Sequence, residues 1–279
     1  MHVWSGPDPT QPIRMSRVYA DMKFNLCVPG KSFFSNYLQL LIGLLMLAFV
    51  SPVSAIDSQP YPEFDAIYDA RVNGIPIAEA SFSLHRLGNG DFVYQQKSTP
   101  VGIASLLFGA KVSTASSRWR FTNNRIQALE YRSSKEDGDA DDNLHLIFNW
   151  KTAHVENVST DGPWQTKMPK DTLDKLVMQM ALLFELREGI TEFQYPVAHQ
   201  GRIKQYRFKQ TGKEKVQLPI GEYDTLIVER LDDDRDKSII WSAPELNYFP
   251  LRFLKRKQSG LEIELLLRKV EFVGQEVSD

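Results

Sequence analysis

The chain has 279 residues, with 33 basic side chains against 35 acidic ones, a net charge of −2 and one cysteine. That length can bury a sizeable core as one or two domains. The mild acidity leaves no electrostatic footprint for nucleic acid, and the lone Cys27 excludes a disulfide framework or Cys-ligated zinc.

The first element is an address. Residues Leu38–Val50 are apolar except for Gln39 and Gly43, and Ser51-Pro52 ends the run. This is short of the roughly 18–20 apolar residues that a membrane-crossing helix needs. Lys23 and Lys31 precede it with no acidic residue between, and Val53-Ser54-Ala55 follows with small residues at alternate positions. These are the parts of a secretory signal peptide, so cleavage is expected after Ala55, with no transmembrane helix left in the mature chain. Residues 1–55 would be leader and signal, and 56–279 a single exported domain. The polar opening "MHVWSGPDPTQPIRMSRVYAD" leaves two readings open: translation starts at Met22, or residues 1–21 are a real extension. Cys27 lies before the apolar run, so it is not the acylated cysteine of a lipoprotein, and the mature chain has no thiol.

Strand patterns follow. "FDAIYDARVNGIPIAEASFSLHRLGNGDFVYQQKS" carries turn residues at Asn73-Gly74 and Gly88-Asn89-Gly90, and Asn-Gly suits a two-residue hairpin in which both central residues take positive φ. Ala78, Ala80, Phe82 and Leu84 share one face. Leu144, Leu146, Phe148 and Trp150 repeat the alternation, as do Leu261, Ile263, Leu265 and Leu267. Period two with one apolar face predicts an antiparallel sheet. Further turns are expected at Asn123-Asn124, Asp161-Gly162-Pro163, Thr211-Gly212, Gly221 and Ser259-Gly260, for about a dozen strands.

One segment has helical spacing. "DTLDKLVMQMALLFELREG" places Leu173, Leu176, Val177, Met180 and Phe184 on a stripe, and Met178, Ala181, Leu182, Leu183 and Leu186 widen it. The spacing predicts a helix over Asp171–Glu188, capped by Asp171 or Thr172, with Asp174 adding favourable charge near its start, and ended by Gly189. A helix apolar on several sides must be enclosed, and only the sheet can enclose it. The expected fold is mainly β: a strongly curved antiparallel sheet or unclosed β-barrel wrapped around one central α-helix. Val101–Gly109 is a second short helix or a lip on the same core.

From about Phe64 to Phe272 the chain resembles the exported bacterial proteins grouped as domain of unknown function 3108. The resemblance rests on "FDAIYDARVNGIPIAEASFSL", "DTLDKLVMQMAL", "YRFKQTGKEKVQLPIGEYDT" and "IIWSAPELNYFPLRF", and it implies a periplasmic β-rich protein with no settled enzymatic role. The plan of strands around a helix is also similar, in architecture alone, to LolA-type periplasmic lipoprotein carriers.

Chemical signatures are sparse. Asp137, Asp139 and Asp141 mimic the start of an EF-hand loop, but Asp142 stands where Gly is needed and Phe148 where the bidentate Glu belongs. A solvated hairpin tip is expected there and around Asp232–Asp236. His85, His145, His154 and His199 show no metal-binding spacing. Ser113, Ser116 and Ser117 lie in no nucleophile elbow and read as strand filling. Trp119, Trp150, Trp164 and Trp241 line a pocket or fill the core. Arg252, Lys255, Arg256 and Lys257 protect a solvated edge or touch anionic lipid or polysaccharide. No catalytic residue, cofactor or metal is therefore assigned. A non-catalytic envelope protein is expected, its partner a lipid, an amphiphile or an envelope protein. A ligand wall would be formed by Leu173, Leu176, Val177, Met180 and Phe184, with Phe82, Trp119, Phe148 and Leu265 opposite, unless helix and sheet fill each other completely and leave no room for a ligand. The alternatives are a hydrolase of an envelope polymer, needing two carboxyl groups about 5–10 Å apart, and an assembly factor working through a free sheet edge.

Overall fold

A computed structural model describes residues 61–102, 105, 111–136, 143–160, 162–233 and 235–273. The expected signal peptide with its Ala55 cleavage point, most of the Val101–Gly109 segment and the Asp137–Asp141 turn lie outside the described residues. All described residues belong to the unit Ser58–Asp279.

Among the described residues, fourteen strands form one antiparallel sheet. The first eight are β1 (Phe64–Val72), β2 (Ile75–Arg86), β3 (Phe92–Pro100), β4 (Ser113–Thr122), β5 (Arg125–Lys135), β6 (Leu144–Asn149), β7 (His154–Asn157) and β8 (Trp164–Lys167). Helix α1 (Val177–Arg187) then precedes β9 (Glu192–His199), β10 (Arg202–Leu218), β11 (Gly221–Arg230), β12 (Lys237–Ala243), β13 (Phe249–Arg256) and β14 (Glu262–Phe272). In space the order is β8-β7-β6-β5-β4-β3-β2-β1-β14-β13-β12-β11-β10-β9. Every neighbour is a sequence neighbour except at the β1–β14 seam. The sheet does not close, because β8 and β9 remain its edges, and α1 is the connection between those two edges.

Local chemistry explains the strands. Asn73 and Gly74 have φ of 48° and 79°, and Asn123 and Asn124 have 50° and 59°, the paired positive values of a hairpin turn whose twist matches its strands. Ala78, Ala80, Phe82 and Leu84 are buried, as are Leu144, Leu146 and Phe148, so the alternation read in the sequence is the inner face. Thr211-Gly212 is not a turn. It interrupts the register of β10 against β11, where Gln210 faces Val228, Gly212 faces Ile227 and Thr211 is the extra residue. A glycine within a strand pattern marks a bulge as readily as a turn, and the seventeen-residue β10 runs through it. Further register shifts occur at Ile67/Tyr68, Ala70/Arg71, Arg118/Trp119 and Trp241/Ser242, and such bulges bend a sheet.

The helix starts at Val177 rather than Asp171. Asp171 has φ of 61°, outside the helical region. Leu173 pairs with the free side of β9, its N–H donating to Pro196 O and its carbonyl accepting from Ala198 N–H, both at 2.9 Å. Asp174 then takes the capping role, its Oδ1 accepting from the N–H groups of Leu176 and Val177 at 2.8 Å. The stop is the expected one. Gly189 has φ of 82°, its N–H donates to Leu186 O, and Ile190 N–H donates to Glu185 O, the paired bonds of a left-handed helix terminus.

Candidate functional site

The helix has two working faces. Val177 and Met180 are fully buried, and Leu173 and Leu176, in the segment just before the helix, are nearly so. This face is tied to β4: the Ser117 hydroxyl donates to Asp174 Oδ2 at 2.6 Å, and Phe184 meets Phe121 edge-on at 5.2 Å. The other face, with Met178, Gln179, Leu182 and Leu183, looks onto a cleft of about 390 Å³. That size lies near the lower end of the roughly 300–1,000 Å³ typical of small-molecule sites.

The opposite wall spans the β1–β14 seam. Phe64, Tyr68, Phe82 and Tyr94 come from β1–β3, Tyr206 and Phe208 from β10, Ile240 from β12, Phe249 and Phe253 from β13 and Leu265 from β14. The rings support one another: Phe64 and Phe249 meet edge-on at 4.9 Å, Tyr68 and Phe82 at 5.2 Å, and Phe82 stacks on Tyr94 at 6.1 Å. Tyr68 Oη donates to Pro250 O at 2.6 Å and Tyr94 Oη to Gln179 Oε1 at 3.2 Å. Burial pushes both phenols well up, so they stay neutral. The polar lining is Gln96, Lys175, Gln179, Arg230, Ser238 and Lys255.

The residues named from sequence divide. Phe82 and Leu265 line this cleft. Leu173, Leu176, Val177, Met180, Phe184, Trp119 and Phe148 are not in its lining; all join the core except the half-buried Phe184. Trp119 is fully buried and stacks on Phe92 at 4.5 Å. The other tryptophans also lie outside the lining. Trp150 Nε1 donates to Ala128 O at 2.7 Å, Trp241 Nε1 donates to Glu214 Oε2 at 2.6 Å, and Trp164 packs by Gly201. Helical spacing identified an enclosed helix, but it could not say which side would be left open. The surplus of apolar positions, Met178, Leu182 and Leu183, was the available signal.

Two surface readings need correction. The Arg252–Lys257 cluster does not guard an edge, since β13 is paired on both sides by β12 and β14. Arg252 pairs with Glu264 at 2.7 Å and Arg256 with Glu262 at 2.6 Å, while Lys255 turns into the cleft. Asp232 is not a bare hairpin tip either. It accepts from Arg230 at 2.7 Å and from the N–H of Arg207 at 2.9 Å. Burial alone would raise its carboxyl, but these bonds hold it below the ordinary value.

A second, larger groove of about 850 Å³ crosses the outer face of β1–β6 and reaches β14, lined by Asp65, Ser83, Gln95, Ser116, Arg132, His145 and Glu271 among others. Asp65 lies opposite Glu271 across the β1–β14 pairing. Both are well exposed; His85 approaches Asp65 at 3.4 Å and Lys269 approaches Glu271 at 2.6 Å. Neither sits in the water-excluded surroundings that a general acid's carboxyl needs. Among the described residues, no group of three His, Cys, Asp or Glu side chains could hold a metal ion, and no helix is long and apolar enough to cross a membrane.

The family model described as protein of unknown function (DUF3108) matches residues 67–265. The chain belongs to the DUF3108 family. No curated protein matches it. Among solved structures, this DUF3108 chain is similar to a beta-barrel-like protein of domain of unknown function DUF1849 from Brucella abortus, with TM-score 0.48 and 8% identity, over 76% of this chain and 98% of that one. It is also similar to a putative outer membrane lipoprotein-sorting protein domain from Vibrio parahaemolyticus, with TM-score 0.26 and 10% identity, over 79% and 89% of the two chains.

Proposed function

We propose that this DUF3108 protein is a non-catalytic envelope protein, exported to the periplasm by residues 1–55, whose cleft beside α1 holds an apolar or amphiphilic molecule. The observation that supports this is the cleft itself. Small-molecule sites are concave and mostly apolar with a few polar groups, and here about 390 Å³ lies against eight aromatic rings, Met178, Leu182, Leu183 and Leu265. Met suits such a wall because its flexible thioether adapts to irregular apolar shapes.

Native mass spectrometry of the protein taken from its own periplasm tests both halves of the reading. A chain beginning at Ile56 and carrying a dissociable amphiphile is the expected result. A membrane-extracted chain that retains Leu38–Val50 overturns export. A chain that carries no adduct and takes up no added fluorescent fatty acid overturns binding. The Asp65–Glu271 pair is the observation that favours the hydrolase reading, and the exposure of both groups weighs against it.

A further inference from the structure

We infer that the occupant of the cleft is a single-chain amphiphile with an anionic head, received by a polar row formed by Arg230, Ser238 and Lys255; this rests on the reading of the cleft as an amphiphile site. Strand register supplies the row. Val228 pairs with Ile240, Ile240 with Phe253 and Phe253 with Leu265, an apolar band across β11–β14. Two residues further along each strand, on the same face, Arg230 follows Val228, and Ser238 pairs with Lys255. This second band lies towards the β11–β12 turn, at the end of the strands. The site is therefore apolar in depth and cationic at one rim.

The sign of the charge is one-sided. Lys175, Arg230 and Lys255 line the cleft, and no Asp or Glu does, although acidic residues outnumber basic ones in the chain as a whole. The carboxylates that balance Arg230 and Lys255 belong to Asp232, Asp233 and Asp236, in the turn and outside the lining. Arg230 is held as wall, its guanidinium lying 4.3 Å over the Tyr206 ring and engaged by two of those carboxylates. Lys255 is the better reader. Its ammonium has three donors, and the 2.9 Å contact with Asp236 uses one. An ammonium head would find no acceptor carboxylate in the wall, and a hydroxyl head would gain no charge-assisted bond. The volume admits one chain rather than several.

The test is calorimetric titration of the purified full chain with dodecanoate, dodecanol and dodecylammonium at pH 8. Dodecanoate should bind about tenfold tighter than dodecanol, the ratio given by one charge-assisted hydrogen bond, and dodecylammonium weakest of all. In Lys255→Gln that ratio should fall towards one, and in Lys255→Glu the order of the two charged probes should invert. Thermal melts confirm that both variants are folded. Equal affinity for all three probes overturns the anionic head and leaves the amphiphile site standing. Binding of none overturns the amphiphile site itself. A dodecanoate preference untouched in both folded variants overturns the assignment to this row.

Discussion

Asp174 carries a charge into a place that resists it. The residue is fully buried, and its carboxylate accepts from Ser117 Oγ and from two backbone amides. Burial pushes the carboxyl up to about 6 despite the lowering pull of those donors. In the unfolded chain an aspartate titrates near 4. Between about pH 4 and pH 6 the folded protein therefore keeps a proton that the unfolded chain releases, and stability falls as pH rises through that window. A difference of two pKa units corresponds to about 3 kcal/mol. Asp174→Asn keeps an oxygen for the Leu176 and Val177 amides but removes the charge. In urea denaturation, the stability of the parent relative to Asp174→Asn should be up to about 3 kcal/mol greater at pH 4 than at pH 7. A difference that does not move with pH would show that the carboxyl is not held in dry surroundings. Sequence showed Asp174 only as charge near a helix start, and Ser117 only as strand filling. The two lie 57 residues apart, and nothing local joins them.

At the scale of the element, α1 has to satisfy two neighbours of different density. Met180 is fully buried in the filled side, while Met178, two positions earlier, is half-buried at the cleft. Met180→Ala should cost roughly 2–5 kcal/mol through the cavity it leaves. Met178→Ala should cost less than half as much, because the space beside it is already open, and should weaken dodecanoate binding. Equal costs in chemical denaturation would mean that the two faces are packed alike. The helix stop carries its own test. Gly189 has φ of 82° and nothing within 4 Å of an added Cβ, so Gly189→Ala meets no clash, only the left-handed backbone penalty of about 1–2 kcal/mol. This stop was legible because Gly after an apolar stripe signals a local backbone rule. The start was not, because the pairing of Leu173 with β9 is tertiary. Strand faces were legible wherever period two was clean, as in β2 and β6. Gly212 misled because turns and bulges both use glycine. Lys255 stood out only within its local basic cluster, and its place in one row with Arg230 comes through the register of β11–β13, which no local pattern shows.

On the whole molecule, the topology places the first and the last described strand side by side in the middle of the sheet. Strands β1–β8 form one meander and β9–β14 another, each built from hairpins between sequence neighbours. The sheet joins them only along β1–β14. That seam is long, running from Phe64↔Phe272 to Val72↔Ile263. Its ends are clasped: Asn73 N–H donates to Glu262 O and Glu262 N–H to Asn73 Oδ1, both at 2.9 Å, and Val273 N–H donates to Glu63 O at 2.9 Å. Arg268 adds ion pairs to Asp69 and Glu79 across it. The cleft lies over this seam, with β1–β3 on one side and β10–β14 on the other, so seam and site should stand or fall together. Hairpin contacts form locally, whereas the seam needs residues some 200 positions apart and carries a large loop-closure cost. Hydrogen exchange should therefore find the β1 and β14 amides opening only with global unfolding, while the short edge strand β8 exchanges through local fraying. Ending the chain at Gly260 should remove the cooperative urea transition altogether, not merely lower its midpoint, and should abolish dodecanoate uptake. A truncated chain that still unfolded cooperatively and bound dodecanoate would show that each meander folds by itself and that the seam is dispensable to the site.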